Sequence, residues 1–312
     1  MNDYNNYTKE ELVALYDMPL EELMEISHKI TMENFDNTVE ACSIISAKTG
    51  ACSENCKYCS QSKHNHAEIE CHPLMDVETV KKAAISAKEN GATRFCIVTS
   101  GRVPTDNDFE KILEMIREVA SIDGLHCCAS LGLLSEEQIK QIKEAGVERY
   151  NHNINTSKNY HDFICSTHRF EDRVNTVKTI QKYGMEACCG VIIGMGETRE
   201  DRVDMALSLK ELNPKTVPIN FLNPIKGTPL ENYEDKISEE EILKTICIFR
   251  IILPKALLRY AGGRTTRLSE YNQKLGVIAG INSLLVGNYL TTAGSKADED
   301  KRMLKELDLV MN

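Results

Sequence analysis

The chain has 312 residues, 42% hydrophobic and 27% charged, enough apolar side chain to bury a full core and to exclude wholesale disorder. Its 37 basic and 47 acidic side chains give a net charge of −10 with no long positive stripe, which argues against a nucleic-acid binder. The leading segment MNDYNNYTKEELVALYD has no basic start before an apolar core, and no apolar run approaches the ~18–20 residues that span a bilayer. No secretory or membrane segment is therefore expected, and the chain reads as cytoplasmic. Its twelve cysteines then need a reason, because disulfides are disfavoured in a reducing compartment. Small buried apolar side chains are the default for isolated ones such as Cys71, Cys165 and Cys247.

Residues 1–37 read as an N-terminal helical extension, with Asp17–Ile30 as its best helix. Strands are expected at Ala41–Ser46, Arg94–Thr99, His126–Leu131, Tyr150–Ile154, Ala187–Ile193, Val217–Leu222, Leu257–Ala261 and Ser283–Val286. Between them, helical periodicity marks Asp76–Glu89, Phe109–Ala120, Ser135–Glu144, Phe170–Tyr183, Arg199–Leu212, Ser238–Leu253 and Glu270–Ala279. Asp76, Ser135 and Ser238 are plausible N-caps, and Gly91, Gly124, Gly146 and Gly184 follow helix ends. Eight strands joined by seven helices is the count of an α/β, TIM-type (β/α)8 barrel, here spanning residues 38–290. An open doubly wound sheet is the alternative, but no glycine fingerprint sits in the first strand–helix turn. Residues 291–312 form a C-terminal tail ending in a helix over Ala297–Leu309.

The sharpest local signal is Cys52-Ser-Glu-Asn-Cys56-Lys-Tyr-Cys59, in the loop after the first strand. Three soft thiolates at this spacing can hold three irons of a cubane 4Fe–4S cluster and leave the fourth iron open. Zinc is the alternative, with His64, His66 and Cys71 as downstream donors, although none has the usual spacing. Side chains two apart on a strand share a face, which pairs Arg94 with Cys96, Cys128 with Ser130 and Asn151 with Asn153. By the same rule Thr216, Pro218 and Asn220 line up, as do Arg259 and Ala261. Barrel interiors are ordinarily filled by branched apolar residues. A polar set on strand after strand points to a site along the barrel axis.

The CxxxCxxC spacing is that of the radical S-adenosylmethionine superfamily. Beyond it, KTGACSENCKYCSQS, TRFCIVTSGR, CCASLGLLSEEQ, YNHNINTS, CCGVIIGMGET, VPINFLNPIKGTPL and LLRYAGGR together resemble the biotin synthase family, in order from about Thr38 to Leu309. The resemblance implies a sulfurtransferase that inserts sulfur between two unactivated carbons of dethiobiotin, using two equivalents of S-adenosylmethionine. It implies a radical 4Fe–4S cluster on Cys52, Cys56 and Cys59, and an auxiliary cluster that supplies sulfur, on Cys96, Cys128, Cys188 and Arg259. It places Asn151, Asn153 and Asn220 near dethiobiotin, where carboxamides suit a ureido ring. It sets Arg173 against the carboxylate of S-adenosylmethionine, and Tyr58, Asn153 and position 155 against its adenosine. A low-potential donor, flavodoxin or ferredoxin, and a homodimer are further implications.

Two departures stand out. Position 155 is Asn155, where the familiar pattern carries an aspartate suited to ribose hydroxyls. Cys42 replaces a small hydroxyl residue that faces the ligating arginine, which makes it a candidate additional auxiliary ligand. A thiolate there would turn the auxiliary cluster from a 2Fe–2S into a larger four-iron type and displace Arg259. Cys127 and Cys189 neighbour expected ligands, so alternation turns them outward. The competing enzyme reading is a related radical barrel of the hydrogenase-maturase or methylornithine-synthase branch, which would not require this set of cysteines with Arg259. An iron–sulfur electron carrier would need no asparagine-lined pocket.

Overall fold

A computed structural model describes residues 7–233, 237–287 and 297–312. The expected barrel–tail boundary at 290/291 lies outside the described residues, as do the first six positions. Helices α1 (Lys9–Ala14) and α2 (Leu20–Asn34) precede strand β1 (Thr38–Lys48). Strict alternation follows: α3 (Val77–Glu89), β2 (Arg94–Thr99), α4 (Asp106–Ala120), β3 (His126–Ser130), α5 (Glu136–Ala145) and β4 (Arg149–Asn151). The next elements are α6 (Lys158–Ile164), α7 (Phe170–Lys182), β5 (Glu186–Cys188), β6 (Val191–Ile193), α8 (Arg199–Leu212) and β7 (Thr216–Phe221). The chain then runs through α9 (Glu239–Ile252), β8 (Leu257–Tyr260), α10 (Arg264–Arg267), α11 (Glu270–Ile278), β9 (Ser283–Leu285), α12 (Ala297–Glu306) and β10 (Val310–Met311).

The strands are parallel and pair in the order β1-β2-β3-β4-β5-β7-β8-β9. The barrel closes where β9 returns to β1, at Glu40↔Ser283 and Cys42↔Leu285. Strands β5 and β6 share one of the eight positions, expected as the single strand Ala187–Ile193. The cause lies on β7: Cys189 donates to the Thr216 carbonyl, but Pro218 has no N–H to continue the ladder. Gly190 sits at this break, where a Cβ would fall 2.0 Å from the Pro218 carbonyl oxygen. Only glycine lets the two backbones approach so closely.

The expected caps form. Asp76 accepts from Thr79 N–H and Ser238 from Glu241 N–H, while Ser135 and Gln138 make a reciprocal capping box. Strand alternation sorts inside from outside. Phe95 and Ile97 of β2 pack outward with Ile112, Met115 and Ile116 of α4. Each such fully buried side chain contributes about 2 kcal/mol. Arg94, Cys96 and Val98 are thereby turned toward the axis.

The N-terminal helices brace the outside of the barrel. The buried Tyr16 hydroxyl meets Thr245 of α9 at 3.1 Å, and Lys244 Nζ donates to the Tyr16 carbonyl at 3.0 Å. At the other end, the expected tail helix stops at Glu306 and the chain turns into β10, which the sequence reading missed. β10 pairs with the first residues of β1, Thr38↔Val310 and Val39↔Met311. Helix α12 anchors through a buried ion pair, Arg264 to its Asp300, at 2.6 Å. No described helix is long and apolar enough to cross a membrane.

Candidate functional site

One cavity of about 440 Å³ runs from the loops beyond the strand C-termini down the barrel axis. Its lining brings together every site residue expected from the sequence: Cys52, Cys56, Cys59, Tyr58, Asn151, Asn153, Asn155, Arg173, Asn220, Cys96, Cys128, Cys188, Arg259 and Cys42.

At the mouth, the cysteine loop leaves β1 through Gly50 and Ala51, both with positive φ. Its ends are pinned by Cys52 N–H to the Gln61 carbonyl at 2.9 Å and Lys63 N–H to the Cys52 carbonyl at 2.9 Å. Asn65 Nδ2 donates to the carbonyls of Cys56 and Cys59 at 3.1 and 2.8 Å. These bonds satisfy the loop backbone from outside and leave the three thiols facing the cavity. Among the described residues, the one group of potential ligands mutually within 4.8 Å is Cys56, Cys165 and His168. Cys52, Cys56 and Cys59 are thus spread wider than the donors of one ion. All-thiol donors on one loop, spread in this way, fit a multi-iron cluster better than a zinc ion.

Beside the loop, Asn155 takes a left-handed backbone conformation, φ 68°, which asparagine tolerates. Its Nδ2 donates to the Tyr58 hydroxyl at 2.7 Å. An aspartate here would have to accept that bond instead, so the departure at 155 reverses the polarity of the Tyr58 contact. Arg173 of α7 donates from Nη1 to the Asn153 carbonyl at 3.0 Å and from Nε to His168 Nε2 at 2.8 Å. Asn153 Oδ1 accepts from Gly190 N–H at 2.9 Å, inside the gap left by Pro218.

The three asparagines expected near the substrate differ. Asn220 is tied at both ends, Oδ1 accepting from Gly262 N–H at 2.9 Å and Nδ2 donating to the Val191 carbonyl at 3.0 Å. It therefore locks the loop after β8 to β6 and β7. Asn151 Oδ1, in contrast, is buried with no hydrogen-bond partner. A buried acceptor left unmet costs about 1–3 kcal/mol, so this atom marks where a ligand donor belongs.

Deeper, Cys42, Cys96 and Cys128 form one buried cluster with Leu285, and Cys96 lies directly opposite Cys128 in the ladder. Burial pushes the Cys128 thiol up to about 12 and the Cys188 thiol up to about 11, and raises Cys42 and Cys96 as well. These sulfurs hold their protons until a soft metal competes for them.

Below this layer is a carboxylate the sequence reading passed over. Glu40 accepts from Arg259 Nη2 at 2.7 Å, Arg149 Nη1 at 2.8 Å and Arg94 Nε at 2.9 Å. Burial alone would raise its carboxyl, but Arg259, Arg149 and Arg94 hold it down at about 2. Arg259 is further held by Nε donation to Ser283 Oγ at 2.8 Å, and its Nη1 lies 3.8 Å from Cys188 Sγ. Arg149 continues outward to Glu186 at 2.8 Å. Alternation carried the signal: Glu40 stands two before Cys42, and Arg149 two before Asn151.

Cys127 and Cys189 join the outer apolar clusters against the helices, as alternation expects. Cys247 is buried on α9 as expected, whereas Cys71 is exposed and so departs from the buried default. Cys165 is buried in an apolar cluster as expected, and it also lies beside Cys56 in the ligand group above.

Residues 47–209 match the radical SAM superfamily, and residues 218–310 match the biotin and thiamin synthesis associated domain. Among curated proteins, the biotin synthase of Acetivibrio thermocellus is 49% identical over 93% of this chain and 89% of its own length. That of Clostridium tetani is 44% identical over 95% and 90%. Among solved structures, methylornithine synthase (PylB) superposes with a TM-score of 0.84 at 23% identity, covering 99% of this chain and 96% of its own. The hydrogenase maturase HydG from Carboxydothermus hydrogenoformans gives 0.85 at 17% identity, covering 98% and 76%. These two likenesses establish the barrel and not its chemistry.

Proposed function

We propose, since this chain belongs to the biotin synthase family, that its cavity inserts sulfur into dethiobiotin and that each part of the reaction has its own level in the barrel. The observation carrying this reading is that one cavity joins the Cys52–Cys56–Cys59 loop to the buried Cys42, Cys96, Cys128 and Cys188 layer. When bound, the 4Fe–4S cluster at the mouth supplies the electron that cleaves S-adenosylmethionine, and the auxiliary cluster supplies the sulfur. Cys52, Cys56 and Cys59 would hold the former. Arg173 faces the carboxylate of S-adenosylmethionine, while Tyr58, Asn153 and Asn155 receive its adenosine. Asn151 meets a ureido N–H of dethiobiotin with its unmatched Oδ1, and Asn153 lines the same wall. Asn220 shapes the site through the backbone rather than by direct polar contact.

Cys96, Cys128 and Cys188 would hold the auxiliary cluster, and we assign Cys42 as a further ligand in place of Arg259. Two facts support this. Cys42 is buried in the same cluster as Cys96 and Cys128. Arg259 is already engaged by Glu40 and Ser283. Four thiolates complete the ligand set of either a two-iron or a four-iron cluster, and of the two we propose the four-iron form. The partners we expect are a flavodoxin or ferredoxin donor and a second copy of the chain, in the cytoplasm.

The test is anaerobic reconstitution with iron and sulfide, a reduced flavodoxin, S-adenosylmethionine and dethiobiotin. Biotin should form with two 5′-deoxyadenosines per ring, and cleavage of S-adenosylmethionine should depend on dethiobiotin. Cleavage without biotin would overturn the reading. Iron counting and Mössbauer spectra of Cys42→Ser should show a smaller auxiliary cluster; an unchanged nuclearity removes Cys42 from the ligand set.

A further inference from the structure

Glu54 stands inside the cysteine loop, between Cys52 and Cys56, yet it cannot be a soft-metal ligand of the kind around it. Its carboxylate is instead fully engaged. Arg102 Nη1 donates to Oε1 at 3.1 Å, Thr167 Oγ1 donates to Oε2 at 2.6 Å, and His168 Nδ1 makes a very short contact to the same oxygen. The His168 side chain is 1% exposed. Its other nitrogen, Nε2, faces Arg173 Nε at 2.8 Å.

Arginine only donates, so Nε2 of His168 must accept, and the ring proton sits on Nδ1, directed at Glu54. Both ring nitrogens are then committed. This removes the Cys56, Cys165 and His168 group as a separate metal site, because the imidazole has no lone pair left for an ion. What His168 builds instead is a chain of two charge-assisted contacts, Glu54 to His168 and His168 to Arg173, from the cysteine loop to α7.

We infer that His168 is a positioning residue for S-adenosylmethionine: through it, the Glu54 carboxylate on the cysteine loop fixes the Arg173 guanidinium that receives the carboxylate of S-adenosylmethionine. The inference rests on the proposed reading of this cavity. With Nε held by His168 and Nη1 by the Asn153 carbonyl, the plane of the Arg173 fork is set before a ligand arrives. An arginine so fixed loses less rotamer freedom on binding, which raises affinity without adding a contact.

The same chain couples two parts of the site. The segment carrying His168 is clamped to the cysteine loop by Asn55, whose Oδ1 accepts from Ser166 and Thr167 N–H at 3.0 and 3.3 Å. Its Nδ2 donates to Ser166 Oγ at 2.8 Å, and its N–H to Thr167 Oγ1 at 3.1 Å. A cysteine loop in its ordered form therefore also sets the anion-binding arginine.

The experiment uses anaerobic, cluster-loaded protein and reads equilibrium dialysis of labelled S-adenosylmethionine, iron per chain, and the electron paramagnetic resonance change of the reduced cluster on adding S-adenosylmethionine. His168→Ala should weaken binding about ten-fold at unchanged iron content, the scale of one lost hydrogen bond to a charged group. His168→Gln can donate to Glu54 and accept from Arg173, so it should stay within about three-fold of the parent chain. An unchanged dissociation constant in His168→Ala, or a glutamine variant as weak as the alanine, overturns the inference. Should His168→Ala lose iron, Glu54→Gln decides: weakening of about three-fold supports the chain, and parental affinity removes it. A parent protein that fails to bind S-adenosylmethionine at all would defeat the broader reading, whereas normal parental binding with an indifferent His168→Ala defeats this inference alone.

Discussion

At the mouth of the barrel the cysteines ride on a loop; at its floor they sit on strands. The mouth loop owes its shape to bonds made by its own backbone and by Asn55 and Asn65, and its three thiols are left to chemistry. On the floor the side chains themselves hold the structure, with three guanidiniums converging on Glu40 under a layer of four thiols. The two regions therefore separate function from stability to different degrees. The contrast predicts that a mouth thiol can be lost with little effect on the fold, whereas the floor is load and site at once.

The largest expected effect comes from the mouth. Alanine at Cys52, Cys56 or Cys59 should bring S-adenosylmethionine cleavage to background, while urea unfolding of the cluster-free chain shifts by no more than about 1 kcal/mol. A larger stability loss would erase the contrast. Next comes Glu40→Leu, which leaves three buried guanidiniums facing one another without their shared counter-charge. Removing one partner of a buried ion pair costs about 3–5 kcal/mol, and the same urea measurement should show it. If Glu40→Leu unfolds no earlier than the mouth variants, the floor is not structural. The smallest effect sharpens the comparison within one strand. Cys127→Ala should cost about 1 kcal/mol and leave iron per chain unchanged, whereas Cys128→Ala should lose auxiliary iron at similar stability.

Much of this was legible before any coordinates. The CxxxCxxC spacing names a loop site because ligand geometry is local in sequence, and period-two alternation sorted Cys127 from Cys128 and Cys189 from Cys188 correctly. What escaped were relations between distant segments. Glu40 opens the first strand, where a charge reads as a solvent-facing strand end; only barrel closure brings Arg259 of β8 to it. His168 lies in a connection with no helical or strand period, and its partner Glu54 is more than a hundred residues away. The break between β5 and β6 was hidden for a similar reason. Pro218 interrupts a ladder on the neighbouring strand, not on its own.

The β10 pairing also has a consequence for when the site can exist. The floor end of β1, which carries Glu40 and Cys42, is enclosed on one side by β2, extended by β10, and on the other by β9, so β9 and β10 complete its cover. Both of those covering strands come from the final stretch of the chain. During synthesis, the ribosome must deliver Val310 and Met311 before β1 gains its last neighbour, whereas Cys52, Cys56 and Cys59 emerge within the first fifth. Under the proposed reading, the floor can take up iron and sulfide in its complete form only after β9 and β10 have paired with β1.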